Sequence, residues 1–182
     1  IQILEAGQYD PERFLAITSK DIPSMYDELL GTINGIVNEN IKALLLEIFQ
    51  NDRKFIEKFI VSPAAAKVHH AYKGGLLEHT MSVVELCQFF ARKYNDSLDG
   101  ELLVAGALLH DIGKVYEYAI TQTGIDRTND GELVGHIAMG IEIINKAIPK
   151  LTGFPRYIQT EIKHMLLSPH GEMEWGLSLI PI

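Results

Sequence analysis

The chain carries seven histidines, all between residues 69 and 170: His69, His70, His79, His110, His136, His164 and His170. Imidazole nitrogens and carboxylate oxygens together suit Mn, Fe, Co or Zn better than an all-oxygen Mg site. Helical bundles build such sites from side chains on facing helices. Three of the seven lie on apolar faces at helical spacing. His79 shares a face with Leu76, Val83, Leu86 and Phe90, His110 with Leu103 and Ala107, and His136 with Gly140, Ile143 and Ala147. One inward histidine is most often a core residue whose ring nitrogens are satisfied. Several, on separate helices and beside a carboxylate, point to a metal.

The sharpest local signal is the doublet His110-Asp111 in the run Leu108-Leu109-His110-Asp111-Ile112-Gly113-Lys114. Neighbouring helical residues point about 100° apart, so both serve one site only if it lies close over that helix. Gly113 breaks the helix, and Lys114 brings a cation to the same place. Alone the doublet is weak, because an aspartate ending a helix beside a solvated lysine reads the same way.

The elements that must position these residues read as helices. Met25, Leu29, Leu30, Ile33 and Val37 recur at helical spacing, as do Ile41, Leu44, Leu45, Ile48 and Phe49. Ser62-Pro63 is a helix-start signal. Gly74-Gly75 precedes a helix from about Leu76 to Tyr94, and another runs from Glu101 towards Asp111. Residues 121–131 read as a polar loop, followed by a helix over about 132–147 and a last one from Pro155 to before Ser168-Pro169. No run of period-two alternation is convincing. The expected fold class is all-α, a helical bundle, with residues 1–9 an edge strand or linker.

Composition sets bounds on function. The 182 residues fit one domain, and a 47% hydrophobic content supports a real core. The longest apolar run, Leu102 to Leu109, is too short to span a membrane, and no signal peptide is read. A single cysteine, Cys87, excludes an internal disulfide and suits a reducing cytoplasm, the expected location. The net charge of −8 argues against autonomous grip on a phosphate backbone, while a metal cluster can supply positive charge locally.

The run Ala107 to Lys114 resembles the signature of HD-domain metal-dependent phosphohydrolases. Together with HHAYKGGLLEHT (69–80), GELVGHIAMG (131–140) and IKHMLLSPHGEMEWG (162–176), it is similar to the YhaM-type 3′→5′ exoribonucleases of bacteria, over about residues 25–176. The resemblance implies an HD-domain bundle over residues 23–182 and a linker, or the remnant of an upstream OB domain, over 1–22. It implies metal ligands at His79, His110, Asp111, His136 and His164. The distal aspartate of the family has no match, since Glu172 and Glu174 stand too near His164. The tail 177–182 departs from the family pattern, so the chain is read as ending before its last ligand helix.

The implied chemistry is phosphodiester hydrolysis at two divalent ions (Mn, Fe, Co or Zn, with Mg disfavoured). Asp111 would bridge the ions and Lys114 would steady developing charge. His170 is assigned to substrate phosphate or to support of the ligands. His69 and His70 either face the cleft or form a local cap. The implied substrate is RNA or single-stranded DNA, degraded from the 3′ end with help from an OB domain, by a homo-oligomer without membrane contact. Other readings stay open: a nucleotide or cyclic-dinucleotide phosphohydrolase, a di-iron oxygenase on the same scaffold, or a non-catalytic sensing or interaction domain.

Overall fold

The computed structural model describes residues 16–67, 70–121 and 124–168. His69, His170, Glu172, Glu174 and the tail 177–182 therefore lie outside the described residues, as does the 1–9 segment read as strand or linker. The described residues form helices α1 (Ile22–Asn34), α2 (Glu39–Leu46), α3 (Arg53–Phe59), α4 (Gly75–Lys93), α5 (Gly100–Leu109), α6 (Lys114–Glu117), α7 (Asn129–Leu133), α8 (Gly135–Ala147) and α9 (Arg156–Leu167). A hairpin of β1 (Tyr118–Thr121) and β2 (Gly124–Arg127) lies between α6 and α7. Among the described residues the fold is helical apart from that hairpin. Among the described residues no helix is long and apolar enough to cross a membrane.

α5 is the central helix, with Leu102 and every residue from Val104 to Leu109 buried. Its sequence GELLVAGALL is apolar on all sides, as a helix enclosed by neighbours must be. Asp99 caps it by accepting from the backbone N–H groups of Glu101 and Leu102 at 3.1 and 3.0 Å. The Glu101 carboxylate accepts in turn from the backbone N–H groups of Val37 and Asn38, at 2.6 and 2.8 Å. The α1–α2 link is thereby tied to the start of α5. Below it, Phe49, Phe55 and Phe59 pack ring against ring, with centroids 5.1–5.9 Å apart. A π-helical turn over Glu47–Asn51 carries the chain from α2 to α3.

The structure differs from the sequence expectations at four places. Ser62-Pro63 starts no helix, because the Ser62 hydroxyl donates back to the Lys58 carbonyl at 2.8 Å and closes the end of α3. The polar stretch after Tyr118 is partly the β1–β2 hairpin, antiparallel with Tyr118 opposite Arg127 and Thr121 opposite Gly124. Four-residue strands are too short for alternation to register. The helix expected over 132–147 is two helices, broken at Gly135, whose φ of 77° lies in the left-handed region that glycine occupies without strain. The outer part of the His79 face is not core: Leu86 and Phe90 are exposed, whereas the buried face of α4 carries Leu76, Leu77, Thr80, Met81 and Val84.

Residues 16–18, inside the stretch read as linker, dock on the loop before α4. Thr18 N–H donates to the Lys73 carbonyl at 3.0 Å, and Lys73 N–H donates to the Ala16 carbonyl at 2.9 Å.

Candidate metal centre

α5 ends at Leu109, and His110 to Gly113 form a turn that leads into α6. The doublet thus projects from the end of the most enclosed helix. His79 comes from the first turns of α4. Nε2 of His110 lies 3.2 Å from Nε2 of His79, and both lie beside Asp111 Oδ2, at 3.2 and 3.3 Å. One donor atom from each of these three residues falls within 4.8 Å of the others, the spacing a single metal ion requires. Asp111 is 6% exposed, while both imidazoles keep about a quarter to a third of their side chains accessible, so the site is anchored below and open above.

The donor set fits a divalent metal. His110 Nδ1 lies 2.7 Å from the Ala107 carbonyl, which can only accept, so Nδ1 carries the proton and neutral His110 presents a bare Nε2 to the cluster. Two imidazole nitrogens and a carboxylate oxygen, all within about 3.3 Å of one another, form a close group of lone pairs of the kind a cation binds. Burial pushes the Asp111 carboxyl upward. When His110 also carries a proton on Nε2, its hydrogen bond, that from His79, and the charges of His110 and Lys114 outweigh it and hold Asp111 well below the usual carboxylate range. The carboxylate is ionised and ready to ligate. Lys114 Nζ donates to Asp111 Oδ2 at 2.8 Å, which fixes its ammonium at the edge of the cluster.

His136 enters from the first turn of α8. Its Nε2 lies 3.7 Å from Asp111 Oδ1, the oxygen turned away from the first cluster. Gly135 resets the chain direction so that His136 faces the doublet. Gly113 then lets α8 approach, because a Cβ there would overlap the His136 carbonyl oxygen and come within 2.7 Å of Gly140 N. On its far side, His136 Nδ1 lies 3.1 Å from Glu117 Oε2. That oxygen is buried and has no aligned hydrogen-bond donor, and His136 Nδ1 faces it at hydrogen-bonding distance. Arg127 of β2 reaches Glu117 Oε1 at 3.7 Å and Glu132 at 3.8 Å. Burial pushes the Glu117 carboxyl up, but His136, Arg127 and Lys114 bring it below its ordinary value.

His70 adopts a left-handed φ of 57° in the loop before α4, and its ring centroid lies 5.4 Å from that of His79. This places its ring beside that of His79. Tyr72 donates its hydroxyl proton to Glu78 Oε2 at 2.8 Å, so its oxygen accepts from His70 Nδ1 at 2.7 Å. Burial first, then the Glu78 carboxylate, push the Tyr72 hydroxyl up to about 12. Thr18 also donates to Glu78, at 2.6 Å.

His79, His110, Asp111, Lys114 and His136 are therefore brought together, with His70 beside them. His164 is not part of the ligand group found among the described residues. Its helix α9 packs through Met165 against Gly106 of α5 and through Leu166 against Gly140 of α8. Sequence reasoning missed Glu117, whose one signal is an acidic residue inside the apolar run Val115-Tyr116-Glu117-Tyr118-Ala119-Ile120. It also missed Tyr72 and Glu78, whose pairing depends on how the loop folds.

A helical fold with a His-Asp doublet at the end of its central helix, facing histidines from two neighbouring helices, defines the HD class. The HD domain family profile matches residues 76–178, and the chain belongs to that family. It is similar to curated proteins named 3′-5′ exoribonuclease YhaM. The relative from Geobacillus sp. (strain WCH70) is 34% identical over 90% of this chain and 48% of its own. That from Bacillus licheniformis is 36% identical over 84% of this chain and 46% of its own. That from Bacillus pumilus is 34% identical over 96% of this chain and 54% of its own. The chain spans about half the length of the curated relatives it matches. No solved structure matches.

Proposed function

We propose that the chain is a metal-dependent phosphodiesterase that removes nucleotides from the 3′ end of RNA or single-stranded DNA. The observation that carries this reading is the convergence of His79 Nε2, His110 Nε2 and Asp111 Oδ2 within hydrogen-bonding distance at the floor of a half-open cleft. His79, His110 and Asp111 would hold one divalent ion, and Asp111 Oδ1 with His136 would offer a second position. Mn, Fe, Co or Zn suits these donors better than Mg. The chemistry such an ion would supply is a lowered pKa for bound water and neutralisation of phosphodiester charge.

The chain's own residues do the rest. The Ala107 carbonyl locks the His110 tautomer. Asp111 presents one oxygen to each side of the site. Lys114 Nζ stands at the cluster edge, in position to meet a non-bridging phosphate oxygen as charge develops. The substrate polymer and the 3′→5′ polarity are supported by the likeness to the YhaM relatives.

The test is incubation of 5′-labelled RNA and DNA oligonucleotides with the Mn-loaded chain. Stepwise shortening from the 3′ end, release of nucleoside 5′-monophosphates and loss of both with Asp111→Ala are expected. Turnover of mononucleotides with intact oligonucleotides would move the assignment to a nucleotide phosphohydrolase. Unchanged turnover by Asp111→Ala would remove the site from the reaction.

A further inference from the structure

Beyond Val83, the face of α4 that begins with His79 is solvent-facing and aromatic. Leu86 is 59% exposed, Phe89 50%, Phe90 44% and Tyr94 47%. Side chains this apolar, side by side on the surface, mark a surface that binds something. At about 100° per residue, Leu86 and Phe90 return to within roughly 20° of the direction of His79, and Lys93 to within roughly 40°. At about 1.5 Å per residue, Phe90 lies roughly 16 Å along the axis from His79. Leu86 and Phe90 thus continue the His79 direction as a stripe to the end of the helix, with Phe89 about 80° to one side and Tyr94 about 60° to the other.

The far end of that stripe is a stack of rings with a cation over it. Phe90 and Tyr94 lie nearly parallel, 18° apart with centroids at 6.3 Å, and Phe89 meets Phe90 edge-on at 5.7 Å. Lys93 Nζ sits 5.8 Å from the Phe89 centroid and 5.7 Å from that of Tyr94. Arg92 precedes it and is exposed, but it lies off the stripe, about 140° round the helix from His79. The acidic neighbour Glu85 lies off the stripe, about 120° round the helix from His79. On a chain of net charge −8, a lysine held over two exposed rings is a local exception. Rings for bases and cations for phosphates are the combination that binds single strands without reading their sequence.

We infer that Phe89, Phe90, Tyr94 and Lys93 form a stacking platform for single-stranded nucleic acid, holding the strand a few nucleotides away from the end being hydrolysed. The inference rests on the phosphodiesterase reading for the direction of the strand. A seat for a second copy would account for exposed apolar area, but not for a stripe in the His79 direction or for a lysine held over ring faces.

The test uses the full chain in EDTA, where no turnover occurs, with a fluorescein-labelled ten-nucleotide uridine oligomer read by anisotropy. Phe90→Ala with Tyr94→Ala should weaken binding by about fivefold or more per ring, and Phe90→Trp should hold wild-type affinity. Ultraviolet cross-linking should attach the oligomer to the tryptic peptide spanning residues 74–92. Loss of binding in the double variant together with that adduct supports the platform even if no metal-dependent hydrolysis is found, in which case the phosphodiesterase reading alone fails. Wild-type affinity in the double variant, no oligomer binding by the wild type, or a changed oligomeric state with unchanged affinity would each overturn it.

Discussion

Glu117 Oε2 lies 3.1 Å from His136 Nδ1, with Glu117 only 2% exposed. The carboxylate stands behind the imidazole, and the opposite nitrogen of the same ring faces Asp111. A carboxylate behind a metal-facing histidine sets its tautomer and raises its basicity, and losing one weakens metal affinity by roughly 10–100-fold. Glu117→Gln keeps the volume and removes the charge. We expect it to lower Mn affinity within that range while the helical circular dichroism stays at the wild-type value. Calorimetric titration checks this, and equal affinity for the two proteins would leave Glu117 a core residue without influence on the metal.

Gly113 and Gly140 face each other across the α6–α8 contact, yet they tolerate a methyl group differently. A Cβ on Gly113 would overlap the His136 carbonyl, whereas one on Gly140 would meet Ile112 Cγ1 and Leu166 Cδ2 at 3.5 Å, an ordinary contact. Gly113→Ala should therefore destabilise the fold by about 1–3 kcal/mol and displace His136. Gly140→Ala should be neutral or stabilising by up to about 1 kcal/mol, because alanine is the better helix former. Thermal melts of the two variants distinguish the cases. A Gly113→Ala melt equal to wild type would mean that α8 can retreat without cost.

The doublet and its histidines were legible because they occupy periodic, apolar helices, and because His110 and Asp111 are adjacent in sequence. Their supporting groups were not. Glu117 ends α6 just before a hairpin too short to show alternation, and its partner Arg127 stands ten residues away on β2. Tyr72 and Glu78 meet because the loop before α4 turns through a left-handed His70, a backbone state that no side-chain pattern announces. The outer face of α4 was read as core because period alone reports which residues share a face, not whether another element covers it. Leu86 and Phe90 have the spacing of core residues and the exposure of surface ones.

The pair Glu47–Lys150, 2.7 Å apart, joins the π-helical turn after α2 to the 3₁₀ turn that follows α8. The Lys150 hydrogen bond, helped by Asn51, holds the Glu47 carboxyl below its ordinary value of 4.5 against the small opposing effect of burial. A carboxyl depressed in the folded state stabilises above its unfolded pKa and loses that contribution as pH falls through the folded value. The melting difference between wild type and Glu47→Gln should therefore be present at pH 7 and vanish as pH falls below the ordinary value. Lys150 is half exposed, so the contribution at pH 7 stays below about 1 kcal/mol, or about 2–4 °C. A difference that persists at pH 2 would assign the effect to packing.

Metal loading should stabilise the fold through the same residues that would carry the chemistry. A ligand that binds only the folded chain, at about 100 times its dissociation constant, adds about 2.7 kcal/mol, or several degrees in Tm for a chain of this length. Mn should raise the melting temperature of the wild type, and EDTA should reverse the rise. His79→Ala and Asp111→Asn remove donors from the group that converges within 4.8 Å, so both should lose the response. His164→Ala separates the structural arrangement from the family pattern. His164 lies outside that group, so its variant should keep the Mn-dependent rise. If His164→Ala loses the response as completely as His79→Ala, α9 delivers a ligand when metal is bound, and the site closes on the ion through movement of that helix.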